Sequence, residues 1–100
     1  MKPSNAIAGR TLEIKTVIEA YGFVSPKLFG STARGQDRDG SDLDLLATIP
    51  PSKQGAISLF DIADLEDELA AMLGVSIDFN IETDIPEHLR SAIIAEAVEL

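Results

Sequence analysis

Apolar residues recur along the chain with two different periods, and the periods divide it into elements. Ile14, Val17, Ile18 and Tyr21 keep the i, i+3, i+4, i+7 spacing of an amphipathic helix, and Gly22 stands where such a helix ends. This predicts a first helix near residues 8–21. Val24 to Phe29 is a short apolar stretch carrying Pro26, which suits a strand mainly at its start or at a sheet edge. Leu43, Leu45 and Leu46 lead into Ala47, Thr48 and Ile49, a second strand that begins near Asp42. Ile62, Leu65, Leu69, Met72 and Leu73 restore helical spacing between Ser58 and Leu73, with Ser58 and Asp61 placed as a capping box and Gly74 just past the end. Val75, Ile77, Phe79 and Ile81 then alternate with Ser76, Asp78 and Asn80, the period of two expected for a strand with one apolar face. A last helix, opened by Asp84, Pro86 and Glu87 and carrying Leu89, Ile93 and Ala97 on one side, is expected to run nearly to Leu100.

Helix, strand, turn, strand, helix, strand, helix is an order that predicts an α+β fold. Its economical packing is a small mixed sheet of about three strands with helices on one face and the other face partly open. At 100 residues the chain is expected to form one domain spanning 1–100. A hydrophobic share of 45% with 25% charged residues is the balance of a domain with an ordinary core rather than of a disordered tail. No apolar run suits a signal peptide or a membrane span, so a soluble cytoplasmic protein is expected.

Charge narrows the chemistry. Eight Lys and Arg against 17 Asp and Glu give a net −9, which disfavours direct contact with nucleic acid. Cysteine is absent, so thiolate ligation is excluded and any metal must be held through oxygen. Asp42 and Asp44, two apart at a strand start, project from the same face, while Leu43 and Leu45 turn to the opposite layer. Such a pair can clamp a divalent cation, and Asp78, at the polar phase of another strand, could complete the cluster. Upstream, Gly30 and Ser31 open a short turn followed by Ala33, Arg34 and Gly35, where backbone N–H groups and a hydroxyl can approach a phosphate. A phosphate site beside paired carboxylates points to metal-bridged phosphoryl or nucleotidyl transfer.

These residues carry a resemblance. Gly30-Ser31-Thr32-Ala33-Arg34-Gly35, then Ser41-Asp42-Leu43-Asp44-Leu45 after five residues, resembles the signature of the minimal nucleotidyltransferases in the DNA polymerase beta superfamily, and nearly the whole chain is covered. The resemblance implies a palm-like core in which Gly30, Ser31, Arg34 and Ser41 belong to the nucleotide site. Asp42, Asp44 and Asp78 would be the catalytic, metal-binding acids, holding two magnesium ions, with manganese as a substitute. It further implies an antitoxin that uses ATP to move AMP onto a tyrosine of a partner HEPN toxin, and hence a hetero-oligomer with that toxin. Phe79 and Asn80 stand where the family usually has aliphatic residues.

Other readings stay beside this one. The chain could be a non-catalytic antitoxin module, or could adenylate a small molecule such as an aminoglycoside, although 100 residues leave no room for the acceptor domain such enzymes carry. Arg34 could merely neutralise nearby acids. His88 is expected at the surface, and Glu66, Asp67 and Glu68 are expected on the solvated side of their helix.

Overall fold

The computed structural model describes residues 1–100. In chain order the elements are α1 (Pro3–Ile7), α2 (Thr11–Ala20), β1 (Val24–Phe29), α3 (Gly30–Ala33), β2 (Leu43–Thr48), α4 (Leu59–Leu73), β3 (Ile77–Ile81), α5 (Glu87–Glu96) and β4 (Val98–Glu99), with single 3-10 turns at Pro51–Lys53 and Glu82–Asp84. The sheet order is β3-β2-β1-β4. β1 runs antiparallel to β2 and β4, and β2 runs parallel to β3. The α+β class and the mixed sheet are therefore as expected, with four strands in place of three. No helix is long and apolar enough to cross a membrane.

Helix α4 forms where its pattern places it. Ser58 accepts from the Asp61 N–H while the Asp61 carboxylate accepts from the Ser58 N–H at 2.8 Å, completing the capping box, and Gly74 ends the helix at φ 74°. Leu65, Leu69 and Leu73 of α4 meet Ile14 and Ile18 of α2 over Leu43, Leu45 and Phe79, so the core lies on one face of the sheet. Phe23 and Phe79 pack edge to face there, with ring centres 4.8 Å apart.

Three expectations about the termini and edges change. The last helix stops at Glu96 because Ala97 turns to ψ 143°, after which Val98 pairs with Leu28 and Glu99 with Lys27 of β1. The fourth strand makes β1 internal, and Pro26 is tolerated there because the ladder shifts register between Val24 and Lys27, with Ser25 at φ 53°. An extra helix, α1, precedes the expected first one. Its Ser4 N–H donates at 2.8 Å to Asp37, a buried carboxylate in the loop between α3 and β2.

The second sheet face is covered more than expected. Leu46 shares that face with Asp44 and is fully buried. Leu89 and Ile93 of α5, with Ile85, border a groove of about 240 Å³ against Phe29, Asp78 and Asn80. The helices are thus divided between the faces, α2 and α4 on the core side and α5 on the other. Of the three acids expected in water on α4, Asp67 and Glu68 are exposed, Glu68 also accepting the Tyr21 hydroxyl at 3.0 Å, whereas Glu66 is half-buried and accepts the Phe79 N–H of β3 at 2.9 Å.

Candidate active site

The site is built where β1 ends beside the start of β2. Phe29 is paired across the ladder with Asp44, and the next residue, Gly30, must turn the chain into α3 at φ +73°. Glycine alone fits for a second reason. A Cβ at residue 30 would run into the Asp44 carboxylate, meeting its Cγ at 2.9 Å and its Cβ at 3.1 Å. The glycine turn and the acid pair are thus packed against each other, although 13 residues of loop and helix separate Gly30 from Asp44.

Asp44 is in turn the parallel-ladder partner of Asp78, which sets the two strands about 4.8 Å apart at that point. Asp42 lies two residues earlier, in the loop that enters β2, and both Asp42 and Asp78 are exposed while Asp44 is half-buried. Burial, then the charge of Asp78, a side-chain hydrogen bond with Asp78 and the charge of Asp42 push the Asp44 carboxyl up to about 6, with Arg34 pulling the other way. A half-buried carboxyl whose proton affinity is raised by two neighbouring carboxylates makes a place where a cation can take over from the proton.

The donor set is all hard oxygen, the type that magnesium and manganese take. No three acidic or histidine side chains are arranged to cage an ion by themselves.

Around the acids, the residues expected to bind a nucleotide divide into two groups. Gly30, Ser31 and Arg34 stand together on α3 and its C-terminal cap. Ser41 lies in the loop before Asp42, and its hydroxyl accepts the Arg38 N–H at 2.9 Å, closing the turn that delivers Asp42 to β2. His88 is exposed on α5, as expected.

Two contributors to the site carry no local signal. Glu96, in the last turn of α5, accepts from the Gly30 N–H at 3.2 Å and from Arg34 through both its oxygens at 3.1 Å. The apolar side of α5 faces Asp78 across the groove. Both arise from packing between segments more than 60 residues apart in the case of Glu96, so only its charge, complementary to Arg34, hinted at the contact.

A glycine turn feeding a short helix, set against crowded acids on adjacent parallel strands, defines a phosphate-handling transferase. Comparison with known proteins makes that class specific: the family described as "Nucleotidyltransferase domain" matches residues 24–100, and the chain belongs to it and is a nucleotidyltransferase. Two archaeal relatives match over 88 residues, or 88% of this chain. One, from Methanocaldococcus jannaschii, is named for an inferred protein adenylyltransferase activity and is 31% identical over 90% of its length. The other, from Thermococcus cleftensis, is named protein adenylyltransferase MntA and is 27% identical over 85% of its length. A solved structure named for an inferred minimal nucleotidyltransferase is 32% identical, with a TM-score of 0.83 over 97% of this chain and 95% of its own. A toxin–antitoxin structure with AMP-PNP shares the fold at a TM-score of 0.76 and 16% identity, over 90% of this chain and 71% of that one.

Proposed function

We propose that this nucleotidyltransferase moves AMP from ATP to a tyrosine hydroxyl of a partner toxin of the HEPN class, in the presence of magnesium, and so acts as its antitoxin. The observation that carries the reading is the packing of Gly30 against Asp44 and of Asp44 against Asp78, which joins the phosphate cradle to the acids in one place. The names of the two archaeal relatives support adenylyl transfer to protein, and the toxin–antitoxin fold relative supports a toxin as the acceptor.

In this reading Gly30, Ser31 and Arg34 bind the triphosphate through the backbone turn, the hydroxyl and the guanidinium. Asp42 and Asp44 would hold magnesium, which when bound neutralises phosphate charge and favours departure of pyrophosphate. Asp78, exposed at the mouth of the groove beside α5, takes the proton of the acceptor hydroxyl as its oxygen attacks the α-phosphorus. The bond from that phosphorus to the bridging oxygen breaks, leaving a tyrosyl-AMP ester and pyrophosphate. The groove side of Leu89 and Ile93 offers the aromatic ring an apolar wall, and the partner's bulk excludes water from the open side.

The test is intact-mass spectrometry of a purified HEPN partner after incubation with the protein, ATP and magnesium. An added adenylate mass is expected, lost with EDTA and abolished by Asp42→Asn or Asp44→Asn. Neutralisation of the toxin without a mass change, equally by the wild type and the doubly substituted protein, would replace this reading with a binding-only antitoxin.

A further inference from the structure

The cradle expected to receive phosphate is already engaged by an anion of the protein itself. Glu96 places one carboxylate oxygen on the Gly30 N–H at 3.2 Å, and both oxygens lie 3.1 Å from the Arg34 guanidinium. A backbone N–H at a glycine turn and an arginine are the two donor types that ordinarily bind phosphate oxygens. Nothing in α5 itself calls for a carboxylate at this position. Glu96 is the last residue of that helix, where the dipole disfavours negative charge, and the compensating donors come from α3 and its cap. The Glu96 side chain is 29% exposed against 46% for Arg34, so the carboxylate is the more sheltered partner, and its bond to the Gly30 N–H is partly buried.

We propose that Glu96 is an internal stand-in for a substrate phosphate, holding Gly30 and Arg34 until a nucleotide displaces it. This rests on the nucleotide-binding reading above and adds a competitor to it. A triphosphate oxygen cannot take the Gly30 N–H or the Arg34 Nη1 while Glu96 holds both, because like charges at that distance repel. Nucleotide entry therefore releases the last turn of α5, and the apparent affinity is lowered by the fraction of molecules in which Glu96 is engaged. If that fraction is about nine-tenths, the apparent Kd is about tenfold weaker than that of the open cradle.

The experiment is isothermal titration of AMP-PNP with magnesium into the wild type, Glu96→Gln, Glu96→Ala and Glu99→Gln, each checked for folding by circular dichroism. Glu99 lies on β4 three residues beyond Glu96 and makes no contact with the cradle, so its variant reports the effect of removing a negative charge alone. Both Glu96 variants are expected to bind about tenfold more tightly, and the Glu99 variant less than twofold more tightly. Unchanged or weaker binding by both Glu96 variants, with the wild type still binding, would overturn the competitor and leave the nucleotide site standing. An equal gain in the Glu99 variant would overturn it as well, as a general charge effect. No binding by any of the four proteins would overturn the nucleotide reading, and the competitor with it.

Discussion

Asp44 concentrates the chemistry of the site in one side chain, and its proton affinity leads to a test. Its folded-state value of about 6 lies above the ordinary carboxylate value of 3.8. The native state therefore keeps a proton that the unfolded chain gives up, and the sign follows from linkage: stability falls as pH rises from about 4 to about 6. Asp44→Asn removes this loss. Discounted for the partial exposure of Asp44, the gain at pH 7.5 without metal is about 1 kcal/mol, which corresponds to a rise of roughly 4–8 °C in Tm. Thermal melts should show the difference between the two proteins shrinking toward zero at pH 4, and magnesium at pH 7.5 should raise the Tm of the wild type more than that of the variant. A difference independent of pH would show that Asp44 is not strained by its neighbours. At this scale the sequence was informative wherever chemistry depends on adjacent positions: the two-residue spacing of Asp42 and Asp44 and the polar phase of Asp78 were legible. The contact of Glu96 with Gly30 was not, because nothing local links residues 66 apart.

Among the elements, those that bury a periodic stripe were legible and those that do not were missed. Helices α2 and α4 and strand β3 place their apolar residues against the common core, so their periods survive in the sequence. Helix α1 has five residues and β4 has two, too few to show any period, and both exist because of what they dock against. For α1 that partner is the loop between α3 and β2, through Asp37. The N–H of Ser4 beside it, outweighing the effect of burial, holds the Asp37 carboxyl below its usual value. This contact ties the N-terminal helix to the loop that carries Ser41 and Asp42 into the site. Asp37→Ala is accordingly expected to speed hydrogen exchange at the Ser4 amide and to lower the Tm. Unchanged exchange at Ser4 would mean that α1 is held by the burial of Ala6 and Ile7 without help from the carboxylate.

For the molecule as a whole, the fold class and the acid-rich surface followed from composition and element order, while the placement of the sheet edges did not. The sheet ends in β3 on one side and β4 on the other. Glu66 reaches from α4 to the Phe79 N–H of β3, so a donor that another strand would need is already taken. The β3 edge is therefore less open to strand pairing than its length alone would make it. Glu66→Ala should free the Phe79 N–H at the β3 edge, and sedimentation velocity at high concentration should then show more self-association than for the wild type. If the variant stays as small as the wild type, the edge is protected by something other than this carboxylate. One glutamate thus occupies a rung of the β3 edge in advance, so a strand arriving there would have to displace a carboxylate before it could pair.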